Sequence, residues 1–323
     1  MREISIAEAI REAMQEEMRR DPTVFLIGED VGVFNGVFKC SAGLLKEFGP
    51  WRVVDTPISE AGYVGLGVGA AMTGLRPIVE LMFCDFIAIA MDELVNQMAK
   101  MRYMSGGKIK VPMVLRTAMG AGRSSAAQHS QSLHAWLAMV PGIKVIMPST
   151  AYDAKGLLKS AIRDDNPVAV FEDKMNYTTK GPVPEEEYLI PLGVADIKRP
   201  GKDVSVIATS SMVLEALKAA ETLEKDGISA EVVDPRTLVP LDRKTLGESA
   251  RKTGHVVIVD EGYPRFSVTG ELASVVYEEA FDYLDAPIVR IGAADCPVPF
   301  SPALEFPSIP SAEEIVRAVR GML

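Results

Sequence analysis

The chain has 323 residues, enough for two domains at roughly 100–200 residues each. Apolar residues make up 48% of it, which excludes a disordered chain, and a formal net charge of −10 excludes a nucleic-acid binder, which needs a basic face to neutralise phosphates. Cys40, Cys84 and Cys296 are scattered and form no Cys-x-x-Cys, which excludes a disulfide framework and a cysteine zinc site.

From the N-terminus, Ser5 and Glu8 make a capping-box pair ahead of a helix to Arg20, and Asp21-Pro22 ends that helix. No basic region with an apolar core, and no Arg-rich leader, precedes it. The longest apolar-looking stretch, Tyr63 to Leu75, is glycine-rich and shorter than the about 20 residues a bilayer requires. The expectation is a soluble cytoplasmic protein with no membrane partner, a processed organellar form being left open.

Strands are expected at Val24–Ile27, Arg52–Asp55, Ile78–Phe83 and Val111–Arg116, with helices from about Ala61 to Gly74 and Ile87 to Met104 between them. Lys144–Ile146 is a short strand. Ser149 can cap a helix from Ala151 to Arg163, and Val168–Phe171 follows as a strand. The proline-rich acidic run from Gly181 to Glu187 marks an exposed linker. A second unit has strands at Val204–Ala208, Ala230–Asp234, His255–Asp260 and Ile288–Ile291. Its helices run from about Met212 to Asp226, Glu271 to Phe281 and Ala312 to Gly321. Alternating strands and helices imply α/β domains, each a mostly parallel sheet with helices on both faces. The expected division is residues 1–180, a linker 181–200, and residues 201–323.

Several signatures fail on spacing. The glycines of Gly65-Leu66-Gly67-Val68-Gly69 fall inside a helix, not at a strand-to-helix turn, so they do not make a dinucleotide fingerprint. Close helix packing is the plainer explanation for them. Gly106-Gly107-Lys108 lacks the upstream glycine and the following Ser or Thr of a P-loop. His129 and His134, five apart, lie about 140° apart on a helix, a poor pair for one metal. His134 and His255 read as structural.

The most informative segment is Asp55-Thr56-Pro57-Ile58-Ser59-Glu60. Ser59 is a natural N-cap, and Glu60 then sits in the first helical turn, where an acid ordinarily just complements the helix dipole. The glycine-rich wall after it, free of basic residues up to Arg76, would instead let a planar ligand approach the carboxylate in a low dielectric. His129 lies in a small-residue loop after a strand, a placement suited to an active site.

Taken in order, Asp55 to Glu60, Phe83-Cys84-Asp85-Phe86, Arg102 to Gly107, Ala127-Gln128-His129-Ser130-Gln131 and Tyr152 to Leu158 resemble the β subunit of thiamine-diphosphate-dependent E1 components. Those are the E1 components of 2-oxoacid or acetoin dehydrogenase complexes. Ile162 to Pro167, Val233 to Thr237 and Pro297 to Phe300 extend the likeness over essentially the whole chain. The resemblance implies a pyrimidine-binding domain followed by a transketolase-type C-terminal domain. It also implies an α2β2 heterotetramer with an E1 α subunit, and thiamine diphosphate shared at the α/β interface.

By the same resemblance Glu60 shares a proton with N1′ of the aminopyrimidine, Phe86 stacks on that ring, and Ile58 and Glu29 complete the cofactor contacts. His129 reaches the active-site channel. Met113, Ala161, Ile162, Asp164 and Asn166 match positions that hold a structural potassium ion. No Gly-Asp-Gly occurs anywhere in the chain, so the Mg²⁺ and diphosphate ligands are expected from the α chain. The second domain is expected to dock the E2 dihydrolipoyl acyltransferase, whose lipoyl domain collects the acyl group.

Two departures stand out: Ser210-Ser211 where a Tyr-Gly pair often precedes Met212, and Phe86 in place of a tyrosine, which leaves ring stacking intact. The rivals are a non-catalytic assembly subunit, against which Glu60, Phe86 and His129 speak, and a stand-alone thiamine enzyme, against which the missing diphosphate motif speaks. Met119 to Gln131 and Cys296 to Glu305 look nearest to acetoin-type chains, with pyruvate and branched-chain 2-oxo acids left open.

Overall fold

The computed structural model describes all residues, Met1–Leu323. The chain forms two compact units: Met1–Met119 with Trp136–Leu192, and Gly120–Ala135 with Gly193–Leu323. No helix is long and apolar enough to cross a membrane.

The first unit contains β1 (Arg2–Ser5), α1 (Ile6–Arg20), β2 (Val24–Gly28), α2 (Leu44–Phe48), β3 (Val53–Asp55), α3 (Glu60–Met72) and β4 (Arg76–Phe83). A 3₁₀ turn (Cys84–Ala88), a π-helical segment (Glu93–Met98), α4 (Met101–Met104) and β5 (Val114–Met119) follow. The chain returns through α5 (His134–Ala138) to β6 (Lys144–Ile146), α6 (Ala151–Arg163), β7 (Val168–Asp173) and β8 (Lys180–Val183). Six of these strands make a parallel sheet in the order β6-β7-β5-β4-β2-β3. β2, β5 and β7 are buried along their whole length, as strands covered by helices on both faces must be.

The capping box forms as the sequence predicts: Ser5 accepts from the Glu8 amide while the Glu8 side chain accepts from the Ser5 amide. The apolar stripe of α1 (Ile6, Ala9, Ile10, Ala13, Met14, Met18) is buried at helical spacing. Beside it, Lys155 and Lys159 of α6 are buried, and each reaches Glu16 at 2.6 Å, so neither charge is left uncompensated. A second buried network ties the sheet. Arg116 on β5 donates to Glu80 on β4 at 2.6 Å and forks onto Glu172 on β7 at 2.8 and 2.7 Å; the Tyr177 hydroxyl also donates to Glu172, at 2.8 Å.

Four expectations need correction. The expected single helix from Ile87 to Met104 is broken into three pieces. Its bonding passes from i→i+3 (Ile89 N–H to Phe86 O) to i→i+5 (Ala99 N–H to Leu94 O), while Ile87, Ala90, Leu94 and Met98 keep helix-like apolar spacing that conceals the break. β5 starts at Val114, not Val111, because Pro112 has no N–H for the ladder. Thr150, not Ser149, caps α6: it accepts from the Asp153 amide, and the buried Ser149 hydroxyl goes to the Asp153 carboxylate. The linker is partly sheet: Lys180–Val183 pairs antiparallel with β1, and Asp196–Arg199 is a strand of the second unit. A proline is tolerated on a two-stranded ribbon where its missing donor costs no ladder bond.

In the second unit β9 (Asp196–Arg199), β10 (Val204–Ala208), α7 (Met212–Glu224), β11 (Ala230–Asp234), β12 (Thr237–Val239) and α8 (Arg243–Thr253) come first. β13 (Val256–Val259), α9 (Val268–Ala280), β14 (Val289–Ile291), α10 (Pro302–Glu305) and α11 (Ala312–Met322) complete it. Its sheet runs β14-β13-β10-β11-β9, parallel except for the edge strand β9. Val204, Val206, Val232 and Val257 form the core with the inner faces of α7 and α11. The sequence pattern does not reveal α8, whose buried side holds little beyond Leu246, Gly247 and Ala250. The Asp242 N-cap and Gly254, in the left-handed region at φ +68°, bound it.

Candidate functional site

In the first unit, the site is built at the carboxyl ends of β2 and β3, where ligands bind in open parallel sheets. Asp55, at the end of β3, accepts the Gly32 amide at 2.6 Å and the Val33 amide at 2.9 Å, and so holds the loop after β2. A Cβ on Gly32 would lie 2.7 Å from Asp55 Oδ2, so this approach requires glycine. Ser59 stands at the N-cap of α3 but makes no side-chain capping bond, contrary to expectation. Glu60 opens α3 and is 5% exposed.

Glu29, directly after β2, is also buried. Burial first, and then the Glu60 charge, raise its carboxyl above its ordinary value. One turn along α3 the buried Tyr63 hydroxyl is likewise pushed up, by burial and then by Glu29 and Glu60. The Glu29 carboxyl and the Tyr63 hydroxyl interact with each other, and neither Glu29 Oε1 nor the Tyr63 oxygen bonds to any other group of the protein. Buried polar atoms with so few partners keep capacity for a ligand, and an aminopyrimidine edge carries donors and acceptors of the required kind.

The Glu29 shift has a definite pH consequence. A carboxyl raised above its ordinary 4.5 makes the folded chain bind the extra proton, so its stabilising contribution is full below 4.5 and is lost as pH rises through the folded value. Glu29→Gln removes that loss. The variant should match the wild type in acid and exceed its denaturation midpoint at neutral pH; a lower midpoint at neutral pH would contradict the assignment.

The glycines of α3 divide. Gly67 is a packing residue, since a Cβ there would meet Val79 Cγ2 at 2.5 Å. Gly69 has open space beside it, on the face that also exposes Leu66. Phe86 lies in the 3₁₀ turn after β4, half-buried and edge-on to Phe83 at 6.1 Å. Phe83 meets Phe38 edge-on at 5.9 Å, and Phe38 stacks on Tyr177 at 4.6 Å. The Phe86 ring thus ends an aromatic line rooted in the Arg116–Glu172 network, a link of long sequence separation that no local pattern displays. Ile58 is 83% exposed, an apolar side chain offered outward.

His129 belongs to the second unit, in the Gly120–Ala135 segment. It is half-buried, and its amide donates to Ala126 O at 3.3 Å. His134 is structural, as its sequence setting suggested: it is 1% exposed, with Nε2 at 3.1 Å from the fully buried Asp260. Burial works against the Asp260 charge, but His134, Thr209 and the Gly262 amide together hold it below the ordinary carboxylate range. His255 places Nδ1 at 3.2 Å from Thr253 O.

The expected cation ligands gather around the C-terminus of α6 in the first unit. The Ile162 and Asp164 carbonyls both accept from Arg76 Nη1 at 3.0 Å. The Ala161 carbonyl accepts the Asp164 amide and the Met113 carbonyl accepts the Val168 amide. The Asp164 carboxylate pairs with Lys144 and accepts both Asn166 nitrogens at 2.9 Å, while the Asn166 carbonyl oxygen accepts from Arg102. Carbonyls keep a second lone pair, so hard-oxygen capacity remains at a helix end that carries partial negative charge.

The domain model "Transketolase, pyrimidine binding domain" matches residues 2–180, and "Transketolase, C-terminal domain" matches residues 193–315. The acetoin:2,6-dichlorophenolindophenol oxidoreductase subunit beta of Bacillus subtilis is 51% identical, the alignment covering 100% of this chain and 98% of that protein. The pyruvate dehydrogenase E1 component subunit beta of Rhizobium meliloti is 49% identical over 100% of this chain and 70% of its own length. This chain belongs to the transketolase-like family of E1 β subunits. The rice mitochondrial pyruvate dehydrogenase E1 subunit beta-1 is 49% identical over 99% of this chain and 86% of that protein. Among solved structures, a "Split gene transketolase, inactive beta4 tetramer" superposes with a TM-score of 0.79 at 28% identity, covering 98% of this chain and 97% of that one. The E1 β family therefore accounts for both units.

Proposed function

We propose that this chain is the β subunit of a heterotetrameric E1 that uses thiamine diphosphate to cleave acetoin or decarboxylate a 2-oxo acid, passing the acyl group to a lipoyl-bearing E2. The observation that carries this reading is the buried Glu60 beside the Glu29–Tyr63 pair, whose Oε1 and hydroxyl atoms bond to no other group of the protein. A purely structural or assembly subunit has no use for such a cluster, which costs stability. The domain division of 1–180 and 201–323 about residues 181–200 is kept as the functional one.

When bound, thiamine diphosphate supplies a nucleophilic thiazolium carbon and an electron sink. Glu60 holds the proton at N1′ of its aminopyrimidine. Glu29, its carboxyl raised by burial and then by the Glu60 charge, stands beside Glu60 at the same end of the site. Phe86 supplies a flat apolar face, Ile58 covers the ring, and Asp55 keeps the loop after Glu29 in place. The α chain supplies Mg²⁺ and diphosphate ligands, since this chain has no Gly-Asp-Gly. His129 serves the channel by which the lipoyl acceptor arrives. The second domain docks the E2 core. The cytoplasm is the proposed compartment.

The Bacillus subtilis acetoin enzyme's β subunit, 51% identical over 98% of its own length, favours acetoin as substrate, with pyruvate as the second choice on relatives at 49%. The test is a substrate panel on the chain assembled with its α partner. Acetoin should give the highest kcat/KM, and turnover confined to branched-chain 2-oxo acids would overturn the choice.

Potassium is proposed at the α6 terminus, held by the free lone pairs of Met113, Ala161, Ile162, Asp164 and Asn166. The unfolding midpoint should then rise by several degrees on exchanging a bulky organic cation for potassium, by mass action on the folded state. Equal midpoints in the two salts would remove the site.

A further inference from the structure

The loop that carries His129 is tied down by carboxylates from distant parts of its own unit. Glu305, fully buried at the end of α10, accepts the Gly122 amide on Oε1 at 2.8 Å. Its Oε2 accepts the Ser124 amide at 2.8 Å and the Ser124 hydroxyl at 3.3 Å. Glu261 takes the adjoining Ala121 amide at 2.5 Å and the Ser211 hydroxyl at 3.1 Å. At the base, the Gly120 amide donates to Gln131 O at 3.0 Å.

Such fastening is needed. Ser124 and Ala126 both stand in the left-handed region, at φ +52° and +60°, where a side chain is strained and the backbone drifts unless held. Charge-assisted bonds to amides are about twice as strong as neutral ones, and a carboxylate presents two acceptors at the spacing of two amides. Glu305 is itself fixed: Pro302 starts α10, the Glu305 amide donates to Ser301 O at 2.8 Å, and the Ser308 hydroxyl donates to Glu305 O at 2.6 Å.

We propose that Glu305 is a positioning residue for His129, pinning the Gly120–Gln131 loop so that the ring is already placed for the acyl acceptor. The proposal rests on the channel role given to His129 above. Glu305 does not touch substrate or cofactor. It acts through the loop, and Glu261 secures the loop's first amide.

The experiment uses the chain assembled with its α partner. Glu305→Gln keeps one acceptor but turns an amide donor toward the other loop N–H. Hydrogen exchange of the 120–131 segment should become at least about 10-fold faster, as a lost anchor lowers local opening free energy. Acyl transfer to a lipoyl domain should fall by about 10²-fold, the lower range for an acid–base group, while exchange of the cofactor C2 proton stays within about twofold. In a His129→Ala background, Glu305→Gln should add nothing further. If Glu305→Gln does not assemble, Glu305→Asp, one methylene shorter, should show the same pattern at smaller size.

Unchanged loop exchange overturns the geometric part, whatever the activity. A loosened loop with full-rate transfer, or an equal further loss in the His129→Ala background, overturns the positioning role. Full-rate transfer by His129→Ala alone, with the loop still loosened by Glu305→Gln, shows instead that the channel role of His129 is wrong, and the proposal falls with it.

Discussion

Glu60→Gln should leave the chain folded, able to assemble and able to bind cofactor, yet slow loss of the cofactor's C2 proton by about 10²–10⁴-fold, the range a well-placed acid–base group contributes. Glu60 sits at the first position of α3 and is 5% exposed, so its carboxylate is held by backbone geometry and shielded from water. Glutamine matches its shape and can still accept a hydrogen bond, but it cannot hold a transferable proton at N1′. The neighbouring Glu29 does not replace it. Burial and the Glu60 charge bias Glu29 toward its protonated form, and removing the Glu60 charge relaxes only part of that bias. The measurement is deuterium exchange at cofactor C2 in the assembled enzyme, with binding followed separately by calorimetry. Wild-type exchange alongside intact binding would falsify the role of Glu60.

Much of this site is legible locally. The turn of Asp55 to Glu60 places its acid at a helix start from sequence alone, because proline, an N-cap residue and the first helical turn are short-range signals. The capping box at Ser5 and Glu8 is legible for the same reason. Ser59 is the limit of that logic: the position is an N-cap, but the side chain does not act as one. What is not legible depends on contacts far apart in sequence. Glu29 joins Glu60 and Tyr63 only because β2 and β3 are neighbours in the sheet. The aromatic line behind Phe86 needs Phe38 and Tyr177, 139 positions apart. Membership of Gly120–Ala135 in the second unit is equally hidden, since it depends on Glu261 and Glu305 lying more than a hundred residues downstream. The broken helix after β4 is a different failure, because its apolar spacing survives while its hydrogen bonding changes.

The isolated chain should bind thiamine diphosphate weakly and turn over no substrate, and mixing it with the cognate α chain should create affinity and activity together. On the proposed reading it offers Glu60, Glu29, Tyr63 and Phe86 for the aminopyrimidine end. It offers no Gly-Asp-Gly for Mg²⁺ and the diphosphate, and Mg²⁺ is held mainly through phosphates and a few carboxylates that must then come from another chain. The surface of the first unit is consistent with a missing partner. Val33 and Phe34, in the loop held by Asp55, are 71% and 64% exposed, and Ile58 is 83% exposed next to Glu60. Large apolar side chains clustered at a candidate site mark an interface, and obligate interfaces commonly bury about 2,000 Å² or more. Titration calorimetry with Mg²⁺ and cofactor, first on the chain alone and then on the mixed complex, decides the matter. Binding weaker than about 0.1 mM for the chain alone, turning micromolar with α present, fits a shared site; that difference of at least about 100-fold corresponds to roughly 2.7 kcal/mol or more. Micromolar binding with substrate turnover by the chain alone would show that this chain holds a complete active site.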